Sequence, residues 1–200
     1  MGLAQLAAWF ALAGAAAPPL PAHLPRYRVG IELDVPGRSV RVRQEATWTN
    51  PHSAPTSRLV FNAHARYVVP PSDIGLMAKT LEILRMQPSD AMGVKEPALE
   101  IQRALLPAEG KPDVLLPFRY EGTTKTDLVI DLPFSVGEGQ SVTVVLDFTL
   151  ALPQKQGRWG RWKGVTFLSN WLPVFAVYGD PMRPADEEER LAGAEPRRVV

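Results

Sequence analysis

Polar and apolar residues alternate along the first part of this chain that carries a clear pattern. Tyr27, Val29, Ile31, Leu33 and Val35 fall on one side, and Arg28, Glu32 and Asp34 on the other. After Pro36 and Gly37 the alternation returns, with Val40, Val42, Gln44, Ala46 and Trp48 against Arg41, Arg43, Glu45, Thr47 and Thr49. A period of two residues marks a half-buried strand. Residues 26–50 therefore predict a long β-hairpin reversed at Pro36-Gly37, where proline fixes φ and glycine accepts a positive one. Two strands with one apolar face need more sheet or a second layer to cover it.

Further along, residues 58–65 predict a third strand with Leu59 and Phe61 inward. The period then changes. Ile74, Met77, Leu81 and Leu84 recur at helical spacing, Ser72 or Asp73 can cap the start, and Pro88 ends the run. This predicts one inserted helix over 72–87. Short strands follow at 98–104 (Leu99, Ile101), 114–120 and 126–132, and residues 133–139 read as a turn. Residues 140–152 alternate cleanly, with Val142, Val144, Leu146, Phe148 and Leu150 on one face; Val145 interrupts the polar face, which therefore needs partial cover. Residues 154–164 are rich in glycine and tryptophan and predict an irregular crossover pinned by aromatic anchors. About seven short strands without βαβ alternation predict a mainly β fold, an antiparallel β-sandwich with one inserted helix over 26–180.

Composition adjusts this picture at the ends. The apolar run from Leu3 to Ala17, followed by Pro18-Pro19, predicts a signal peptide and a proline-rich leader over 1–25 and places the mature chain in the periplasm or outside the cell. The run lacks an early Lys or Arg, and a disordered leader behind a misassigned start is the other reading. It is too short to span a membrane, so the mature chain is expected to carry no spanning segment. Residues 181–200, with Asp186-Glu187-Glu188-Glu189 and Arg197-Arg198, read as a polar tail outside the core. Lys and Arg number 22 against 21 Asp and Glu, so no nucleic-acid partner is called for. The absence of cysteine excludes disulfides, thiolate metal sites and cysteine nucleophiles.

Candidate chemistry is sparse. His23, His52 and His64 form no paired metal motif, and His64 reads as a surface or edge residue of its strand. No serine sits in a nucleophile elbow, and Gly137-Glu138-Gly139 is a plain turn. Asp127 and Asp131 share a strand face, which reads as solvated. No cofactor is expected. Trp159 and Trp162, flanked by Arg158, Arg161 and Lys163, offer stacking surfaces for a sugar ring, which defines one functional alternative: a stand-alone carbohydrate-binding or adhesive module.

Three pieces together resemble a known family. They are Tyr27–Val35 with Val42–Asn50 and Arg58–His64, then Val142–Leu152 with Gly157-Arg158-Trp159-Gly160, then Leu168-Ser169-Asn170-Trp171-Leu172-Pro173-Val174-Phe175-Ala176-Val177-Tyr178. They resemble the amino-terminal β-domain of the gluzincin, membrane alanyl aminopeptidase-like, metallopeptidases. The resemblance implies a domain that lies against a zinc-bearing catalytic domain and helps to wall its substrate cleft. The His-Glu-x-x-His helix of that later domain is missing here, so no catalytic or zinc residue carries over, and the chain alone is expected not to be an enzyme. It reads as a truncated frame or as a stand-alone relative of the accessory domain. On this reading it is a scaffold or docking domain of an exported aminopeptidase-like protein, with a peptidase catalytic domain or self-association as partner. The candidates for interface or ligand contact are Trp159, Trp162, Asn170, Trp171, Phe175 and Tyr178. The continuous run from Leu172 to Tyr178 is expected either to form, with the tryptophan loop, an exposed apolar patch or to be covered by the inserted helix through Ile74, Met77, Leu81 and Leu84.

Overall fold

The computed structural model describes residues 21, 24–70, 73, 75, 80–83, 96–154 and 159–176. The segment expected as a signal peptide, most of the expected helix, Tyr178 and the expected polar tail lie outside them. Two antiparallel sheets face each other. The larger has the order β1-β2-β8-β4-β5, with β1 Arg26–Asp34, β2 Ser39–Thr49, β8 Ser141–Ala151, β4 Leu99–Leu106 and β5 Val114–Leu116. The smaller has the order β11-β3-β7-β6, with β11 Val174–Phe175, β3 Thr56–Asn62, β7 Asp127–Val136 and β6 Phe118–Glu121. A separate hairpin joins β9 Trp159–Trp162 to β10 Val165–Leu168. The strands form no closed barrel. Asp73, Gly75 and residues 80–83 are helical, within the segment whose spacing predicts a helix, and Leu81 on its apolar stripe is buried.

Alternation decides what the two layers share. Register rows place Val42 beside Phe148, and Phe148 beside Ile101, on the inner face of the large sheet. Leu59, Ile130 and Phe118 form one inner row of the small sheet, and Phe61, Leu128 and Tyr120 the next. Phe61, Phe148, Leu59, Leu128, Ile130 and Leu146 are fully buried. Each such side chain contributes about 1.5–3 kcal/mol relative to exposure. The outward faces carry charge: Asp147 accepts from Arg43 (3.1 Å) and Arg103 (2.6 Å), and Arg119 pairs with both Glu121 and Asp131. Asp131 is thus one member of a surface ion-pair group and no partner to Asp127. Val145 is buried on the polar side of β8, beside its equally buried register partner Leu105.

The structure corrects several boundaries. Residues 114–120 are two strands in different sheets. Pro117, with no N–H to donate, stands where the chain leaves β5 and enters β6, a corner of the sandwich. Residues 133–136 continue β7, and the register jumps between Arg58↔Asp131 and Thr56↔Val136, so that Pro133 sits in a bulge. At the first hairpin the left-handed residue is Arg38 (φ 51°), not Gly37. A Cβ at Gly37 would meet the Asp34 carboxylate that accepts its N–H at 2.8 Å, so a side chain there would displace that carboxylate. The tryptophan loop is a β-hairpin, with Lys163 (φ 46°) and Gly164 (φ 85°) making the doubly left-handed turn favoured between two strands.

Two polar side chains hold the layers in place. Asn50 is buried and uses its whole amide: Nδ2 donates to Ala54 and Val136 carbonyls at 2.9 Å each, and Oδ1 accepts the His52 N–H at 2.9 Å. Arg66, in the one-turn 3-10 helix His64–Arg66, donates from Nη1 to the Leu99 carbonyl (2.9 Å) and to Glu100 (2.8 Å) and from Nε to the Lys125 carbonyl (3.3 Å). Its guanidinium carbon lies 3.5 Å from the Tyr120 ring centroid.

Candidate functional site

Where β3 ends, Asn62 is followed by Ala63, whose burial turns the chain inward into the 3-10 helix that begins at His64. His64 therefore stands beyond its strand and is half-buried, not an exposed residue of the strand. Its ring stacks near Tyr67 (6.4 Å, 6° between planes) and meets Trp159 edge-on (5.8 Å, 87°). Opposite it, the chain leaves β10 at Leu168 and turns through Asn170, which adopts a left-handed conformation (φ 51°) that asparagine tolerates better than most residues. Between these elements is an open cleft of about 410 Å³, lined by Asn62, His64, Leu168, Asn170, Trp171, Leu172 and Val174. It has the size of a small-molecule or side-chain pocket.

The cleft brings two of the candidate residues together. Asn170 is exposed at it, and Trp171, largely buried, contributes to its wall with its ring 6.3 Å from Phe148. Trp159 is a core residue, 4 % exposed. Trp162 is half-buried, with Lys163 Nζ 5.9 Å from its ring. Residues three apart on a strand point to opposite faces, so the two indoles of β9 do not form one stacking platform. Phe175 is buried against Phe61 (centroids 4.1 Å apart), Tyr27 (5.9 Å) and Trp48 (6.4 Å). Tyr178 lies outside the described residues.

The chemistry of the cleft is that of contact. Among the described residues that line it, the polar groups are two carboxamides and one imidazole, set among aliphatic and indole surface, with no carboxylate, lysine or arginine. Such a set donates to and accepts from neutral polar groups. Among the described residues no group of three or more His, Asp and Glu side chains is placed to hold a metal ion, and no helix is long and apolar enough to cross a membrane. Asn62, His64 and Leu168 are not among the contact candidates of the sequence, where His64 enters only as a possible metal ligand. The one local cue was the end of alternation at Asn62-Ala63-His64.

Of the expected apolar run Leu172–Tyr178, residues 172–176 are described. Pro173 and Phe175 are buried, the Pro173 carbonyl accepts from Gln44 Nε2 at 2.7 Å, and the Tyr27 hydroxyl accepts the Phe175 N–H at 2.8 Å, while Leu172 is half-buried and Val174 is exposed. A larger group of exposed apolar side chains lies on β1. Register puts Tyr27, Val29, Ile31 and Leu33 beside Ala46, Gln44, Val42 and Val40, on the inner side of the large sheet. Yet Ile31 is 53 % exposed and Leu33 45 %, and Tyr27 and Val35 are exposed as well. The reason is topological. β1 is the edge of its sheet, and the opposing edge, β11, has only two residues, so the second layer reaches Tyr27 and Val29 but ends before Ile31 and Leu33. A scan against protein-family models finds no match to this chain, and comparison with curated proteins finds none either.

Proposed function

We propose that this chain is a non-catalytic β-sandwich that docks against another protein surface, serving as the accessory domain of an exported, aminopeptidase-like metallopeptidase or as a free-standing relative of that domain. The observation that carries the docking reading is the uncovered apolar row of β1. A sandwich buries its inner faces between its own layers, and contiguous apolar surface left outside marks an interaction site. Here alternation prepares a side of β1 for burial and the second layer stops short of it. The resemblance of residues 26–180 to the amino-terminal domain of the gluzincin aminopeptidases supports the nature of the neighbour, a following catalytic domain. The cleft beside Asn170 supports the same role, since its neutral amides suit contact with main-chain groups.

The test is a doubly substituted full chain, Ile31→Ser with Leu33→Ser, compared with the parent for hydrophobic-dye fluorescence and thermal midpoint, both at a dilution where sedimentation shows monomer. Exposed positions away from special features change stability by about 0.5 kcal/mol or less each. The docking reading expects dye binding to fall by about half or more, with Tm lowered by no more than about 4 °C. A Tm loss several times larger would show that the chain itself covers this row in solution, and that result overturns the reading.

A further inference from the structure

We infer that the free edge of β1 pairs with β1 of a second copy, antiparallel and centred on Gly30, making one continuous sheet through a two-fold axis. This rests on the docking reading for the surface and adds the occupant. The strand reads Arg26-Tyr27-Arg28-Val29-Gly30-Ile31-Glu32-Leu33-Asp34. Laid antiparallel on itself about Gly30, it sets Arg26 opposite Asp34, Tyr27 opposite Leu33, Arg28 opposite Glu32 and Val29 opposite Ile31. Both charged pairs are of opposite sign, and both other pairs are apolar. A shift of the centre by one residue, to Val29 or Ile31, sets Arg28 opposite Gly30 or Glu32 opposite Gly30 and loses the match.

The faces agree with this register. The charged residues lie on the outer face, where Arg28 is 85 % exposed and Glu32 69 % exposed at the side chain, and the apolar ones lie on the inner side. A two-fold axis normal to the sheet keeps each face on its own side. The row that each copy leaves uncovered would thus lie against the same row of the other. Among the described residues β1 pairs only with β2, along all nine of its residues, and its other edge is without a strand partner. A long edge of this kind is a template for strand addition. The other end of the large sheet, β5, has three residues and offers no comparable edge.

Sedimentation of the full chain, alone and in charge-swapped forms, tests the pairing. The parent is expected to dimerise reversibly. Arg28→Glu sets one glutamate of each copy opposite Glu32 of the other, and Glu32→Arg sets one arginine of each copy opposite Arg28 of the other. Each variant alone should weaken association at least tenfold, and an equimolar mixture of the two should recover it as a heterodimer, since their charges are complementary. Far-UV circular dichroism and Tm verify that each variant folds. The axis is tested separately. The chain has no cysteine, and a Cβ at Gly30 meets only the Arg43 carbonyl oxygen at an ordinary 3.8 Å. Directly opposed residues of antiparallel strands have Cα atoms about 4.5–5.5 Å apart, within the span of a disulfide. Gly30→Cys should therefore form a disulfide-linked dimer under mild oxidation, whereas Arg26→Cys should not, its two copies lying about 27 Å apart. A parent that stays monomeric at its highest soluble concentration, single charge swaps that associate like the parent, or equal cross-linking at positions 26 and 30 would each overturn the self-pairing. None of these would touch the docking reading, which stands or falls on the dye and Tm comparison.

Discussion

Replacing Arg66 by alanine should be the most damaging single change outside the apolar core. The side chain is only 10 % exposed and serves three elements together: the carbonyl of Leu99 in β4, the carbonyl of Lys125 before β7, and the ring of Tyr120 in β6. A hydrogen bond from a charged donor contributes about 1.5–3 kcal/mol, and the Leu99 bond at 2.9 Å is of that kind, while the Lys125 bond at 3.3 Å is weaker. A desolvated cation over an aromatic face adds up to about 2 kcal/mol. The Glu100 carboxylate is 61 % exposed, so its share is about 0.5 kcal/mol after solvent screening. Arg66→Ala should then cost about 4 kcal/mol, equivalent to a Tm loss of about 8–16 °C. Arg66→Lys keeps the charge but not the planar fork and should fall between, while Glu100→Ala should be nearly silent. Urea unfolding followed by tryptophan fluorescence measures all three. If Arg66→Ala costs less than about 1 kcal/mol, or no more than Glu100→Ala, the buried hydrogen bond and ring contact do not carry the energy assigned to them.

Two further outcomes follow from polar groups in the same frame. Asn50→Asp should destabilise more than Asn50→Ala, about 3 kcal/mol or more against about 2, because it turns an acceptor toward the Ala54 and Val136 carbonyls that now receive N–H bonds; thermal unfolding of the pair checks the order. Burial raises the Tyr27 and Tyr120 hydroxyl pKa values above the usual range, against smaller lowering by the N–H groups of Phe175 and Ile101. The folded state therefore holds these protons more tightly than the unfolded chain. The associated stability is full below about pH 10 and is lost as pH rises through the raised values. Tm measured across that range should fall, and fall less in Tyr27→Phe; a flat or rising profile refutes it.

The long strands were legible because period two is a local signal. Val40 to Trp48 and Val142 to Leu150 alternate over enough residues that no other backbone accommodates them. What escaped depends on where the second layer ends. Ile31 and Val42 are neighbours on one face of one hairpin, and their sequence pattern is the same, yet one is exposed and the other buried because the opposing sheet stops between them. Residues 114–120 read as one strand through Pro117, and Pro133 as the start of a turn. Pro117 instead moves the chain to another sheet, and Pro133 is absorbed by a bulge, a difference set by partner strands far away in sequence. The cleft was half legible. Asn170 and Trp171 stand out in a distinctive run, whereas Asn62 and His64 reach it only because β3 pairs with β11. Arg66 resembled any surface arginine until β4 and β6 were brought beside it.

The corner at Pro117 has a consequence for motion. It joins the two layers covalently along the side where β5 and β6 lie, and on the opposite side no strand crosses between β1 and β11. There the layers are tied by side chains, chiefly the Tyr27 hydroxyl on the Phe175 amide and the Gln44 amide on the Pro173 carbonyl. The sandwich thus resembles a book with its spine at Pro117 and two further stitches at one end of the strands, residues 50–55 between β2 and β3 and residues 137–140 between β7 and β8. Sub-global opening should begin at the fore-edge, so that the amides of β11 exchange hydrogen at lower free-energy cost than those of β7 and β8. Unfolding under force or denaturant would then part the leaves there first, exposing Phe61 and Phe175 while the spine still holds.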